Sequence, residues 1–360
     1  MRRRRTPAVP GLLDVAAVRV TAEAVAATQQ PDGALPWPDG HVEAWDHVES
    51  AMALLAAGLD AEAARAWDWL AAAQREDGTW PMRTVAGAVV DAGSDTNQAA
   101  YVATGLWHAH LATGDRRLVD RSWPVVRRAL DAVVSRQAPG GQLAWARAAD
   151  GRLDRTALLT ATASCALSLR CGAAVAELVG DPHPEWELAA AAAEHAVAAH
   201  GDRFADRSRW SMDWYYPVLA GAVRGVPARE RLAARWSEFV VPGLGVRCVA
   251  DRPWVTGAES AELVLALDAA GRTGDGHALL AAVQHLRHED GSYWTGWVWP
   301  DAAHFPAERS SWTAAAVVLA VAALDRAQPA GALFRDPPGG ARAGAGGSCS
   351  PSCDAALRVG

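Results

Sequence analysis

The chain has 360 residues and a net charge of −7, and its 34 basic residues are all arginine. The lack of lysine excludes Schiff-base and pyridoxal-lysine chemistry and a phosphate-loop lysine. No basic stripe with interleaved aromatic residues occurs, which together with the negative charge argues against a nucleic-acid partner. Alanine dominates the 51% of hydrophobic residues and β-branched runs are sparse, so we predict an all-α fold.

Residues 1–12 predict a flexible N-terminal arm. Met1 to Arg5 resemble the charged start of a signal sequence, but Pro7, Pro10 and Asp14 interrupt any apolar region behind it. The longest apolar run, residues 314–324, is too short for a bilayer, which takes about 20 residues. We therefore expect a cytoplasmic protein without a transmembrane segment.

Twelve helices follow in chain order, at residues 15–29, 45–57, 61–74, 94–112, 117–136, 158–179, 185–200, 211–223, 229–240, 259–270, 277–286 and 308–326. Odd-numbered helices carry more charge, whereas even-numbered ones are nearly apolar past the first turn. Because a helix that is apolar on all sides is buried, the alternation predicts six hairpins with an inner and an outer ring. This is an (α/α)6 toroid over residues 13–328. Residues 329–360, rich in Gly, Ala and Pro and carrying Cys349 and Cys353, predict a disordered tail.

A turn motif recurs between the helices. Residues 74–80 read Gln-Arg-Glu-Asp-Gly-Thr-Trp, and related segments occur at 30–37, 137–145 and 288–294. Asp-Gly favours a tight turn because Gly takes positive φ freely and Asp bonds its own backbone. Repetition at this spacing indicates stacked helical hairpins.

These turns resemble those of the terpenoid-cyclase and protein-prenyltransferase superfamily. Arg65, Ala66, Trp69, Leu70, Gln74, Gly78 and Trp80 fit the cyclases' Gln-Trp repeat. Over residues 10–328 the chain looks like an actinobacterial family named prenyltransferase, on segments 45–49, 213–217, 253–257 and 293–296. Residues 95–136 also resemble six-hairpin glycosidases of the glucoamylase type. Both resemblances imply the toroid, but they imply different chemistry.

In such a toroid the inner helices begin at one end, so their first turns surround one opening of a central pit. We predict catalytic carboxylates there, because acidic groups that converge in an aromatic-lined cavity raise one another's pKa and supply a proton donor and a base. The candidates are Asp213, Asp95, Asp46, Glu259 and Glu308. The candidate substrate-binding residues are His47, Glu49, Asn97, Tyr101, Trp214, Tyr215, Tyr216, Trp254, Trp294, Trp297 and Arg309.

Helix capping also explains several of these acids. Asp46 with Glu49, and Asp95 with Gln98, match capping boxes, and acidic first turns suit the helix dipole. Tyr215 and Tyr216, which a cap does not require, favour a functional role for Asp213.

Three functions stay open on this basis. The leading prediction is a prenyltransferase- or terpenoid-cyclase-like enzyme for an isoprenoid or lipid-linked substrate, with no cofactor or metal. The sequence, however, lacks the Asp-x-Cys, Asp-x-Asp-Asp and Asp-Asp-x-x-Asp motifs of that superfamily. The second is a glycoside hydrolase with paired carboxylates acting on a glycan. The third is a non-catalytic toroid that binds a ligand in the pit.

Overall fold

Thirteen α-helices make up most of residues 5–339, the part of the chain that this computed structural model describes. They are α1 (Val15–Ala27), α2 (Ala44–Ala56), α3 (Asp60–Ala73), α4 (Thr96–Thr113), α5 (Arg116–Val134), α6 (Leu159–Val179), α7 (Pro184–Ala199), α8 (Ser211–Leu219), α9 (Gly225–Ala234), α10 (Trp236–Phe239), α11 (Gly257–Ala269), α12 (Thr273–Ala282) and α13 (Ser311–Asp325). The predicted ninth helix is split in two at Arg235.

Six of these helices form a closed inner ring. Helices α2, α4, α6, α8, α11 and α13 each pack against the next, and α13 packs against α2. Helices α1, α3, α5, α7, α9 and α12 pack around them from outside. The helical part is therefore the predicted toroid of six hairpins.

The composition of each helix explains its ring. In α13 every residue from 313 to 324 is buried, so this helix is enclosed on all sides. In α5, by contrast, Val119, Val126 and Val133 face inward, while Arg117 and Asp131 are exposed. An outer helix needs only one apolar stripe, whereas an inner helix contacts protein all round.

The prediction of an all-α fold is only partly confirmed. Eleven short strands lie between the helices. They are β1 (His41–Val42), β2 (Arg83–Val85), β3 (Ala88–Asp91), β4 (Ser94–Asp95), β5 (Ala144–Arg147), β6 (Leu153–Ala157), β7 (Val240–Val241), β8 (Gly245–Arg247), β9 (Trp254–Thr256), β10 (Gly296–Val298) and β11 (Ala303–His304). They form three antiparallel sheets, in the orders β1-β2-β3, β4-β5-β6 and β11-β10-β9-β8-β7. Strands β1, β4, β6 and β9 lead directly into inner helices, so the sheets surround the end of the ring where those helices begin.

The recurring turn ties neighbouring outer helices together. The side-chain amide of Gln74 donates to the carbonyl of Gly78 (3.0 Å) and to that of Val125 in α5 (2.8 Å). Gln137 makes the same pair of bonds to its own turn and to α7. Gln29, rather than the predicted Gln30, does so toward α3. The motif is thus a clamp between successive hairpins.

The fourth copy of this turn closes the outer ring. Arg287 occupies the position of the glutamine and donates to the carbonyl of Ala17 in α1 (3.3 Å). Gly291 lies against the backbone of α1 so closely that an added Cβ would be 3.0 Å from the carbonyl carbon of Val20. The last hairpin is thereby joined to the first.

The folded part extends on both sides of the predicted toroid boundaries. Ala8 and Val9 are buried in the segment predicted to be a loose arm. After α13, a 3-10 helix spans Pro329–Ala332, and Leu333 and Phe334 are buried. Cys349 and Cys353 lie outside the described residues.

Within residues 5–339, α6 is the one helix whose length and composition would suit a membrane span, and 72% of that stretch is buried inside the protein. Burial of this kind is typical of a core helix, which agrees with its place in the inner ring.

Candidate active site

The first turns of four of the six inner helices surround a chamber of about 300 Å³. Its walls come from α2, α4, α6 and α8 and from the loops that precede them; the lining residues include Glu43, Trp45, Asp95, Asn97, Trp145, Thr160, Arg207, Trp210, Met212 and Asp213. We call this cavity the central chamber. Two of the predicted catalytic acids, Asp95 and Asp213, therefore share one cavity.

Asp95 is held through both of its carboxylate oxygens. Oδ1 accepts from the backbone amides of Asn97 (2.7 Å) and Gln98 (3.0 Å), which makes it the N-cap of α4. Oδ2 accepts from the indole N–H of Trp145 (2.6 Å). Desolvation raises the pKa of Asp95, although these hydrogen bonds oppose the shift. Capping thus explains Asp95, which also fixes the Trp145 ring at the chamber wall.

Asp213 does not cap its own helix, α8, whose N-cap is Trp210. Its side chain is 9% exposed in the first turn of α8, and Oδ1 accepts from the hydroxyl of Thr160 (2.6 Å). Burial raises its pKa, against the effect of the Thr160 hydrogen bonds. Arg231 bonds the backbone carbonyl of Asp213 rather than its carboxylate. Asp213 therefore carries a raised pKa at the edge of a cavity.

A second group of carboxyls comprises Asp46, Glu49 and Glu262. Asp46 is half-buried in the first turn of α2, and Oδ2 accepts from the indole of Trp37 (2.6 Å). Desolvation, with the charges of Glu43 and Glu49, raises the pKa of Asp46 well above its usual value. Burial raises the pKa of Glu49, one turn further along α2, to about 7.

Glu262, which the sequence predicts beside Glu259 among the acids around the opening, comes from a different inner helix, α11, and is only 2% exposed. It accepts a short hydrogen bond from the hydroxyl of Tyr215. Desolvation and the charges of Glu49, Glu259 and Asp46 raise its pKa well above the usual value, and the Tyr215 bond opposes this. Burial is thus the main cause of the raised pKa of each of these three carboxyls, and the charges of neighbouring carboxylates add to it for Asp46 and Glu262.

Aromatic rings lie around these acids. The Trp45 ring is 5.5 Å from that of Tyr101 and 5.8 Å, edge-on, from that of Tyr216. Burial raises the pKa of both tyrosines well above 10, so they stay neutral. Trp312 donates to Glu49 (3.1 Å), and its ring lies 5.9 Å from that of Trp37. The Oδ1 atom of Asn97, a residue in the chamber wall, is buried and accepts no hydrogen bond within the described residues.

Three predicted binding residues lie elsewhere. His47 belongs to α2, and its side chain is fully buried on the side that faces α3. Its Nδ1 accepts from the amide of Leu35 (3.1 Å), and its Nε2 bonds the carbonyl of Ala66 in α3 (2.9 Å). Trp214 packs between α8 and α9, stacked on Phe239 at 5.2 Å.

Arg309 points away from the pit. It forms an ion pair with Asp290 (2.6 Å) and lies over the ring of Trp294 at 5.4 Å. It therefore supports the turn that closes the outer ring.

The remaining candidates lie at the edges of the pit. Glu259 is buried in the first turn of α11, and Glu308 is half-buried before α13, where burial and Asp39 raise its pKa. The Trp254 indole donates to the carbonyl of Phe305 (2.7 Å). Trp294 and Trp297 pack on His304, at 4.3 Å and 5.0 Å. These three tryptophans belong to the five-stranded sheet and its adjoining turn.

Several site residues have no first-turn signature in the sequence. Glu262 lies beyond the first turn of α11, Thr160 belongs to no motif, and Trp37 and Trp145 appear in the sequence only as the last residues of two copies of the recurring turn. Only the repeated occurrence of tryptophan before the apolar helices hinted at the aromatic walls.

Comparisons with known proteins indicate the family to which the chain belongs. No family model matches the chain. The chain is 54% identical over 330 residues, 91% of its length and 92% of the relative's, to the MMP endo-(1,4)-3-O-methyl-alpha-D-mannosidase of Mycolicibacterium hassiacum. A glycosidase in complex with glucose has the same fold (TM-score 0.67, 17% identity, 87% of this chain and 98% of that one). A D-mannose isomerase also shares it (TM-score 0.63, 12% identity, 85% and 96%).

The leading sequence-based prediction, an enzyme of the prenyltransferase or terpenoid-cyclase kind, is wrong, because the relative is a glycosidase. The turns that suggested it clamp the outer helices together, so they indicate the toroid and carry no information about chemistry. At 54% identity over nearly the whole of both chains, this protein belongs to the glycoside hydrolase family of the M. hassiacum endo-mannosidase.

Proposed function

We propose that this protein is an endo-acting glycoside hydrolase that cleaves internal α-(1,4) bonds between 3-O-methylmannose units. The identity of 54% to an enzyme with that name supports the substrate class. The observation that carries the chemistry is the group of Asp46, Glu49 and Glu262, because glycoside hydrolysis needs one carboxylic acid and one carboxylate.

Asp46 is the proton donor in this proposal. Its raised pKa keeps it protonated at a pH where an ordinary aspartate is ionised. It is also the most exposed of the three carboxyls, so it can reach a glycosidic oxygen. The Trp37 indole fixes its orientation by bonding Oδ2, which leaves Oδ1 for the substrate.

Glu262 is the second carboxylate. It approaches from α11, whereas Asp46 belongs to α2, and α13 lies between these helices in the ring. The two groups can thus act on one bond from two sides. The pKa of Glu262 is raised overall by burial, and the hydrogen bond that the Tyr215 hydroxyl donates acts against this rise, toward the ionised form that a base or nucleophile requires.

The central chamber suits a methylated sugar. Trp45, Trp145 and Met212 offer apolar surface to a sugar face and an O-methyl group. The unpartnered Oδ1 of buried Asn97 and the carboxylate of Asp213 offer acceptors for hydroxyl groups. This mixture of apolar and acceptor surface matches a partly methylated carbohydrate better than an isoprenoid.

The test is hydrolysis of α-(1,4)-linked 3-O-methylmannose oligosaccharides, with products identified by mass spectrometry. We expect the wild type to release internal fragments. Asp46→Asn and Glu262→Gln should each lower kcat by about 10²–10⁴-fold, the usual contribution of a general acid or base. The control is Asp301→Asn, which removes an exposed carboxyl outside the chamber.

The outcomes separate the parts of the proposal. Wild-type protein that leaves every such oligosaccharide intact contradicts the substrate class, and release of single sugars from chain ends contradicts endo action. Full activity in Asp46→Asn, with a large loss in Asp213→Asn, would move the proton donor to the central chamber wall.

A further inference from the structure

Two further cavities adjoin the central chamber. The larger, about 620 Å³, lies between the β2–β3 and β5–β6 hairpins, and we call it the hairpin cavity. It shares Trp145 with the central chamber. A cavity of about 370 Å³ beside the loop at residues 201–208 shares Asp213 and Arg207 with it. The three cavities therefore lie side by side, with Trp145 on one boundary of the central chamber and Arg207 and Asp213 on another.

Trp145 stands at the junction of the hairpin cavity and the central chamber. Its indole N–H is held by Asp95 Oδ2, so the ring has a fixed position although it is only half-buried. A fixed, partly exposed aromatic ring between two cavities is suited to stacking against successive sugar units.

The walls of the hairpin cavity resemble those of a carbohydrate site. Met82 and Leu153 supply apolar surface, and Arg152 and Arg155 supply guanidinium donors. Within residues 5–339, neither of these guanidinium groups is engaged in an ion pair, whereas Arg147 beside them is tied to the carbonyl of Gly151 (2.8 Å). Free donors near an apolar wall can bond sugar hydroxyls while the ring packs on Trp145 or Met82.

We propose that the hairpin cavity binds the sugar units that extend beyond the central chamber on one side of the cleaved bond, and so makes the enzyme select long chains. This rests on the proposed function. The cavity has about twice the volume of the central chamber, so it has room for more of the chain than the chamber itself. Units bound there contribute to affinity without contact with the reacting atoms.

The test compares a short oligosaccharide, which the central chamber alone accommodates, with a long one of the same linkage. In the double variant Arg152→Ala/Arg155→Ala, kcat/KM for the long substrate should fall about tenfold, a loss equivalent to about 1.4 kcal/mol. The fall should come through KM, because the lost contacts bind ground state and transition state alike. Activity on the short substrate should not change.

The matched control is Arg117→Ala/Arg229→Ala, which removes two exposed arginines from α5 and α9 on the outer ring. It should leave both substrates unaffected. Equal losses for short and long substrates, or none for either, would overturn the proposal.

A binding measurement keeps this inference separate from the proposed function. Calorimetric titration of the long oligosaccharide into Asp46→Asn, with and without the two arginine changes, needs no turnover. Weaker binding on loss of the arginines supports the hairpin cavity even if the wild type cleaves nothing. Identical binding refutes it even if hydrolysis is observed.

Discussion

At the scale of single residues, the main chemical feature is a buried carboxyl group, that of Glu49, which forms no ion pair within residues 5–339. Glu49 is 1% exposed, and its carboxyl group accepts a hydrogen bond from the uncharged indole of Trp312. Burial raises the pKa of Glu49 from 4.5 to about 7. Such a group stays protonated, and hence tolerated in the interior, over a pH range in which the unfolded chain ionises it.

Stability should therefore depend on pH through Glu49. Between the unfolded pKa of 4.5 and the folded pKa of about 7, the folded state binds more protons, so stability falls as pH rises. At about 1.4 kcal/mol per pKa unit, the loss is about 3 kcal/mol.

Glu49→Gln removes this dependence. Relative to the wild type, the variant should gain about 3 kcal/mol in free energy of unfolding from about pH 5 to about pH 8. Urea denaturation at the two pH values measures the difference. Glu289→Gln, at an exposed glutamate, should follow the wild type. A Glu49→Gln curve parallel to the wild-type curve would contradict the raised pKa.

His47 illustrates a structural role for a residue predicted to bind substrate. Burial lowers its pKa to about 4, so the ring is neutral near pH 7 and links two backbone groups. His47→Ala should destabilise the fold by about 3 kcal/mol, since it leaves a cavity and an unpaired amide at Leu35. Activity of the folded fraction should not change. A specific loss of kcat instead would return His47 to the active site.

Asp46 and Asp213 lie in first turns near the pit, as the sequence predicts, whereas Arg309 pairs with Asp290 instead of facing the pit. The position of a helix start shows which end of the ring a residue occupies. The direction of a side chain around the helix axis, however, changes by about 100° from one residue to the next. Whether a given side chain faces the pit depends on how the whole helix is rotated by its packing. For the same reason, the sequence did not distinguish Glu262 from Glu259, and only Glu259 was chosen as a candidate catalytic residue.

Among the structural elements, the Gln-containing turn is the unit that the sequence predicted most fully. Gly78 has a φ of +82°, and a Cβ there would lie 2.2 Å from the carbonyl oxygen of Arg128. Gly33 and Gly141 show the same approach, at 2.1 Å and 2.2 Å. The glycines are therefore needed for the contact between hairpins as well as for the turn.

Gly78→Ala should cost more than its backbone conformation alone explains. The matched control is Gly87→Ala, at a φ of +77° with no neighbouring atom within 4 Å of the added Cβ. We expect about 1–2 kcal/mol for Gly87→Ala, from the left-handed conformation. Gly78→Ala should cost at least about 2 kcal/mol more, because the helices must separate. Equal melting temperatures for the two variants would contradict the clamp.

The short strands escaped prediction for a physical reason. Most have two to four residues, as in β1 and β4, too few to show an alternating pattern. Their pairing depends on loops brought together by the toroid, such as β9 with β10, which are about 40 residues apart. Tertiary contact creates these sheets.

At the scale of the whole molecule, the segment after α13 lies across the far end of the ring. Gln328 donates to the carbonyl of Ala56 at the end of α2 (3.0 Å), and Arg335 pairs with Asp268 of α11. The 3-10 helix packs on both α13 and α4.

This segment should contribute to global stability. Leu333→Ala, at a fully buried position, should lower the free energy of unfolding by about 2–5 kcal/mol. Leu188→Ala, at a side chain that is 73% exposed, is the control and should change it by less than about 0.5 kcal/mol. Thermal and urea unfolding measure both. Similar small effects would show that residues 328–336 are not part of the cooperative unit.

Residues 328–336, which lie across the far end of the ring, close the toroid at that end. A polymeric substrate of the proposed hydrolase therefore cannot pass through the ring, and must enter and leave the pit through the same opening. Under the proposed function, we therefore expect cleavage that is not processive. A time course should show random, widely spaced cuts, with fragments of many lengths from the earliest samples.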